Sequence, residues 1–341
     1  MRRIKQAYSV IRQEGILSLC IRILQKIDNR AKKQSIGKKQ QIHMLVKYED
    51  AKRVDWSNPP TYIAKPEAVK KRNYSVAWVM SPPGESSGGH QNIFRFINYL
   101  EKSGHKAKIY IYSSSNMPID LVAIRKVVAT SPSYPSLNAE IVKYTEQGVD
   151  KDTDAIFATG WETAYPVYLD RSKARRFYFV QDFEPYFYPT GTEAVLAENT
   201  YKFGFYGITA GGWLAHKLHT EYGMKTDHFD FGAEKSVYHI TNTQERKQIF
   251  FYARPVTPRR GFELGVMALD IFSKQKPEYG IVFAGWDVSN YDIPFPYTNL
   301  SNLNVSQLNE IYNQCAAALV MSLTNMSLLP LELLSSGVIP V

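Results

Sequence analysis

Apolar residues fall in short runs along this chain, and from residue 73 onward the runs alternate with segments of helical spacing. "YSVAWVM" (74–80) reads as a buried strand and "SPPGESSGGH" (81–90) as a turn-forming loop. Residues 91–102 read as a helix, with Ile93, Phe94, Ile97 and Leu100 on one face and Gly104 as its stop. "AKIYIY" (107–112) is the next strand, and such a crossover in a parallel sheet is right-handed. Strands follow at 155–160, 177–182, 205–210 and 226–231, with helical patterns near 161–171 and 212–222. After the polar stretch "ITNTQERKQ" (240–248) a second series begins. It runs strand 249–254, helix 261–274, strand 280–285, helix 305–314, strand 317–322, helix 329–336 and "VIPV". Two such series predict an α/β architecture of two Rossmann-like, doubly wound domains, at 73–239 and 240–341.

Residues 1–72 differ in kind. Ile4, Tyr8, Ile11, Leu19, Ile23 and Ile27 recur at three- and four-residue steps among Arg2, Arg3, Lys5, Arg12, Arg22 and Lys26. This is the pattern of a basic amphipathic helical extension. Residues 1–72 hold 18 Lys+Arg against 6 Asp+Glu, whereas the whole chain holds 41 against 32, so the basic excess lies in this segment. It would meet an anionic membrane or lipid-linked acceptor, or pack as a solvated helix on the main body. No nucleic-acid motif accompanies the charge, so nucleic acid is not an expected partner.

The remaining composition, 44% hydrophobic and 21% charged over 341 residues, is that of a soluble globular protein. Cys20 and Cys315 are far apart and match no metal or disulfide spacing, which points to a reducing compartment. The apolar run "ILSLC" is cut by Arg22, too short to span a bilayer and without a cleavage pattern. The expected location is cytoplasmic, peripheral on the inner face of the membrane if the extension binds it.

In an open α/β sheet, ligands bind beyond the carboxyl ends of the strands. Gly88, Gly89 and His90 stand at such a place, where glycine lets a ligand reach the backbone and the next helix offers free N–H groups. The spacing is neither a dinucleotide fingerprint nor a P-loop. In the second series, "YARPVTPRRGFELG" (252–265) sets Arg254 at a strand end and Arg259 and Arg260 before a helix. Guanidinium groups beside a helix start suit a diphosphate. Glu332, in the last helix, is a carboxylate able to accept hydrogen bonds from a ribose, or a solvated surface group.

Together these residues resemble the GT-B-fold glycosyltransferases of family 4. The paired glycines match that family's first-domain loop, "FGAEKSVYH" (231–239) its "NGVD…F" segment, "RPVTPRRG" its phosphate clamp and "LPLELLSSGVIPV" its "LEAMAxGxPVV" stretch. "ATGWETAY" (158–165) and "VQDFEPYFYP" (180–189) look like the WsaF-type rhamnosyltransferases, which use dTDP-rhamnose and carry a helical N-terminal extension. Two departures stand out. The family's E-x7-E signature has Thr324 in place of the first carboxylate before Glu332, and the sequence stops at Val341 inside a strand, so an incomplete second domain is expected.

The resemblance implies a nucleotide-sugar donor, a glycan or lipid-linked glycan acceptor, retention of configuration, and no metal or other cofactor. It assigns the donor diphosphate to Arg254, Arg259, Arg260 and the N–H groups of Ser327, Leu328 and Leu329, the ribose to Glu332, the base side to Gly285, and sugar and phosphates also to Gly88 and Gly89. His90, Asp182 and Glu184 are the acceptor-side candidates, each with a structural hydrogen-bonding role as the alternative. Trp161, Tyr165, Phe183, Tyr186, Phe187 and Tyr188 would stack on sugars or pack the core. "DTD" (152–154) has a metal-binding form but precedes its strand, at the wrong end for a cleft. A catalytically silent binding protein of the same fold, or the same enzyme with a UDP- or GDP-sugar, is also compatible with these residues.

Overall fold

The computed structural model describes residues 42–64, 70–85, 87–113 and 118–341. The predicted basic helix from Ile4 to Ile27 lies outside the described residues. Residues 44–341 form one compact unit.

Among the described residues, seven strands form the first sheet: β1 Ser75–Met80, β2 Lys106–Ile111, β3 Glu140–Lys143, β4 Ala155–Ala158, β5 Arg175–Val180, β6 Tyr206–Ala210 and β7 Lys225–Phe229. All pairings are parallel, in the order β3-β2-β1-β4-β5-β6-β7. Alternate residues of each strand point to opposite faces. Ala77, Val79, Ile156 and Tyr178 enter one core, while Trp78, Phe157 and Phe179 enter the other. Full burial of a side chain such as Phe179, sealed from solvent, contributes about 2–3 kcal/mol.

The second sheet has the parallel order β10-β9-β8-β11-β12, from β8 Gln248–Tyr252, β9 Gly280–Ala284, β10 Thr298–Asn299, β11 Cys315–Leu319 and β12 Ile339–Pro340. Its two faces carry Phe250, Tyr312 and Leu333 on one side and Phe251, Phe262 and Phe283 on the other.

In each sheet the chain runs outward on one side of its first strand and then returns to the other. The first sheet therefore has its topological switch point between β1 and β4, the second between β8 and β11. Crevices at the carboxyl ends of such strands are where open α/β sheets bind ligands.

Residues 44–64 are packed onto the first sheet's lobe rather than set apart from it. Val46 and Ile63 belong to its core and Met44, Ala51 and Val54 pack against it. Arg176 lies 4.8 Å from the centre of the Tyr62 ring. The predicted helix at 91–102 starts earlier, at Gly88, because Ser87 caps it by accepting the His90 N–H. Neither Gly88 nor Gly89 has a positive φ, so they form the first helical turn and not a left-handed loop.

Candidate active site

The β8–β11 switch point is lined with arginines. Arg254 follows β8, and its Nη1 donates to the Gly285 carbonyl at 3.2 Å. Arg259 and Arg260 close a 3-10 turn, Pro258–Arg260, leading into the helix Phe262–Gln275. Arg260 Nη1 reaches Ser322 Oγ at 3.3 Å and the Asn325 carbonyl at 3.4 Å, bracing the loop after β11. The Arg259 guanidinium carbon lies 4.0 Å from the centre of the Phe187 ring of the first lobe, with Nε 4.0 Å from Asp182 Oδ2. That Nε–H is buried with no hydrogen-bond acceptor. Burial, followed by the repulsion of Arg260, lowers the Arg259 pKa. A half-buried guanidinium with an unsatisfied Nε–H beside two other arginines suits an anion.

The two lobes meet here. Thr324 Oγ1 donates to Asp182 Oδ2 at 2.8 Å, and Asn325 Nδ2 donates to the Gln181 carbonyl at 2.6 Å. Asp182 Oδ1 also accepts the Phe183 N–H. Burial raises the Asp182 pKa, and these bonds with Arg259 and Arg260 hold the rise back. Asp182 thus sits in the cleft as expected, but with its oxygens engaged.

Glu184 does not face the cleft. Its Oε2 accepts the Trp161 N–H at 2.6 Å and the Tyr178 hydroxyl at 3.0 Å inside the core, and burial drives its pKa well above the usual carboxylate range. The side chain ties β5 to the helix Trp161–Leu169. His90 is also engaged: Nε2 lies 3.0 Å from the Ser81 carbonyl and Nδ1 2.9 Å from Ser87 Oγ. A carbonyl only accepts, so Nε2 carries the proton. Burial lowers the ring's pKa, and the two hydrogen bonds fix its orientation.

The donor-side expectations divide similarly. Gly285 adopts φ 106°, and a Cβ there would stand 2.4 Å from Tyr252 Cε2, so a close turn requires glycine. Ser327 sits in the left-handed region at φ 59°, and its N–H bonds to Asn325 Oδ1, which corrects the expectation that this N–H is free for a phosphate. Leu328 is buried and Leu329 opens the helix Leu329–Ser335. Glu332 hydrogen-bonds Tyr238, and burial lifts its pKa to about 7 despite the pull of Arg95. Of the aromatic candidates, Trp161, Tyr165 and Phe183 are core, Phe187 carries Arg259, and Tyr186 is exposed. Asp154 of "DTD" is held by Lys71 and the Ser75 N–H at the amino end of β4.

The β1–β4 switch point holds a cavity of about 150 Å³ between Ser81, His90, Thr159, Glu162 and Gln181. Glu162 was not picked out by the sequence reading, which used its "ATGWETAY" segment only as a family marker. A larger cavity of about 460 Å³ lies at the amino ends of β1 and β2, bordered by His105, Lys108 and Asp150, away from both switch points. Among the described residues, no helix is long and apolar enough to cross a membrane.

Comparisons with known proteins agree with this two-sheet architecture. Residues 247–341 match the family model described as WsaF, C-terminal domain. The chain is 31% identical over 278 residues to the O-antigen biosynthesis protein RfbC of Myxococcus xanthus, an alignment covering 79% of this chain. It spans only 22% of that curated relative's length. Among solved structures, a mutant of S. aureus TarM in complex with fondaparinux, alpha-GlcNAc-glycerol and UDP superposes with a TM-score of 0.60 at 7% identity. That match covers 78% of this chain and 85% of the other. Anabaena HepE in complex with UDP and glucose gives 0.51 at 11% identity, covering 73% and 74%. The chain therefore has the GT-B fold, and its residues 247–341 match the family of WsaF C-terminal domains.

Proposed function

We propose that this protein is a glycosyltransferase that moves a sugar from a nucleotide diphosphate donor to a hydroxyl of a growing surface glycan. The observation that carries the reading is the buried Arg259 Nε–H without an acceptor, flanked by Arg254 and Arg260 at the β8–β11 switch point. Glycosyl transfer develops negative charge on the departing diphosphate, and fixed cations in a water-poor cleft stabilise that charge most at the transition state. The RfbC relative's name and the UDP bound in TarM and HepE support a nucleotide-sugar donor and a polysaccharide product.

The finer reading is L-rhamnose from dTDP-rhamnose, transferred with retention and without metal. It rests on the WsaF-type segments at 158–165 and 180–189 and on the match over 247–341. Glu332 would bind the ribose, Gly285 would lie beside the base, and Gly88 and Gly89 would border the donor from the first lobe. The basic excess of residues 1–72 favours docking on an anionic membrane or lipid-linked acceptor.

One observation favours a second reading, a catalytically silent nucleotide-sugar binder: Thr324 stands where a carboxylate is expected, and Asp182 is bonded to it. Incubation with dTDP-rhamnose, UDP-glucose or GDP-mannose and a rhamnose-terminated acceptor separates the two. Nucleotide diphosphate release that disappears in Arg254→Ala supports the enzyme. Binding without release supports the silent protein, and no binding of any donor contradicts both.

A further inference from the structure

Resting on the glycosyltransferase reading, we infer that the cavity at the β1–β4 switch point is the seat of a neutral sugar's hydroxyl edge and that Glu162 is the side chain that binds it. The walls come from three strand ends: Ser81 beyond β1, Thr159 and Gly160 beyond β4, and Gln181 beyond β5. The helices that follow β1 and β4 supply His90 and Glu162.

Most polar groups facing this space are already committed. Thr159 Oγ1 donates to the Val79 carbonyl at 2.9 Å, and Thr163 Oγ1 donates to the Gly160 carbonyl at 2.8 Å. Gln181 is used at both ends, accepting from Asn92 Nδ2 and donating to the Gly89 carbonyl. Both His90 nitrogens are bonded. Glu162 differs: the hydrogen bond to its carboxylate comes from its own backbone N–H, and burial raises its pKa. It is an acceptor with spare lone pairs in a partly dry space.

The chemistry of the occupant follows. No Lys or Arg lines the cavity and a carboxylate does, so phosphate, uronate or a nucleotide diphosphate is disfavoured there. The volume holds about five waters, too little for a whole disaccharide and enough for the hydroxyl-bearing side of one ring. Anions are therefore disfavoured, and a neutral hydroxyl donor fits the lone pairs of Glu162. The neighbouring residues fix its position in the reaction. Gln181, a wall of the cavity, gives its carbonyl to Asn325 of the second lobe, and the next residue, Asp182, bonds Thr324 beside the arginines. A sugar in this cavity thus lies against the seam where the donor's anomeric carbon would stand. With Asp182 tied to Thr324 and Glu184 sealed in the core, Glu162 is the carboxylate of this crevice left to receive an acceptor hydroxyl.

The test uses the full chain, saturation-transfer NMR, and methyl α-D-glucopyranoside and methyl α-L-rhamnopyranoside as neutral probes, with UDP and dTDP titrated separately by calorimetry. Wild-type protein should transfer magnetisation to at least one glycoside. Glu162→Gln, which keeps shape and removes charge, should weaken that binding by about tenfold or more while leaving nucleotide affinity unchanged. Ser81→Leu, which plugs the cavity from an exposed loop position, should abolish glycoside binding and checks the result should Glu162→Gln misfold. Glycoside binding unaltered by both variants, or no glycoside binding by wild-type protein, overturns the inference. Glycoside binding without any nucleotide binding leaves the cavity assigned and overturns the glycosyltransferase reading instead.

Discussion

The hydroxyl of Thr324 in the second lobe donates to Asp182 Oδ2 in the first at 2.8 Å, one residue from the Asn325–Gln181 bond. A carboxylate buried in the seam thereby gets part of its hydrogen bonding from across the cleft. Thr324→Val removes the donor without changing volume and should cost about 1–3 kcal/mol, the penalty of leaving a buried acceptor short. Thr324→Glu should cost more at pH 8 than at pH 5.5, because two carboxylates would then share one site and protonating one relieves them. Thermal denaturation at the two pH values checks both. Equal losses for Thr324→Glu at both would contradict the account.

Glu184 is expected to matter for folding and not for chemistry. Both of its hydrogen bonds are accepted by one oxygen, which an amide oxygen replaces, so Glu184→Gln should be nearly neutral in stability. Glu184→Ala strands the Trp161 N–H and the Tyr178 hydroxyl and should lower stability by about 2–4 kcal/mol. Transfer rate per folded molecule should be unchanged in Glu184→Gln; a large loss there would restore Glu184 to the chemistry.

Arg259 offers a test of shape against charge. Arg259→Lys keeps the charge but loses the guanidinium contact with Phe187 and the forked donors. Nucleotide diphosphate affinity should fall by about three- to thirtyfold. An unchanged affinity would mean that a point charge suffices.

Glu332 sets a pH dependence whose sign follows from its pKa, about 7 against an ordinary value of 4.5. Between those values the folded protein holds a proton that the unfolded chain has released. Stability therefore falls as pH rises through this window, by at most about 3 kcal/mol and less in proportion to its residual exposure. Nucleotide binding should run the other way, since the ionised carboxylate is the better acceptor for ribose hydroxyls. Glu332→Gln should flatten both profiles between pH 5 and 8, as read by thermal shift with and without UDP.

Much of the fold is legible in the sequence because both sheets are buried on two faces and their strands read as apolar runs. The runs at 74–80 and 280–285 correspond to β1 and β9 within one residue at either end. β3 escapes notice because "EIVK" is a four-residue edge strand with one buried side chain. The helix Leu121–Thr130 had a readable signal in its Asp120 cap, whose carboxylate accepts the Val122 and Ala123 N–H groups. The candidate site was legible where it depends on topology: Arg254 follows β8, Arg259 and Arg260 precede the next helix, and the three lie near one another. It was not legible where three-dimensional neighbours decide. "VQDFEP" shows two acidic residues two apart, and only packing sends Asp182 to the seam and Glu184 to the core.

Calorimetric titration of UDP and dTDP into wild-type protein, Arg254→Ala and Arg260→Ala tests the central claim most directly. The account predicts binding by wild-type protein and a loss of roughly ten- to a hundredfold in each variant, the size of a charge-assisted hydrogen bond to phosphate. Nucleotide affinity unchanged in both variants would place the diphosphate elsewhere and contradict the account.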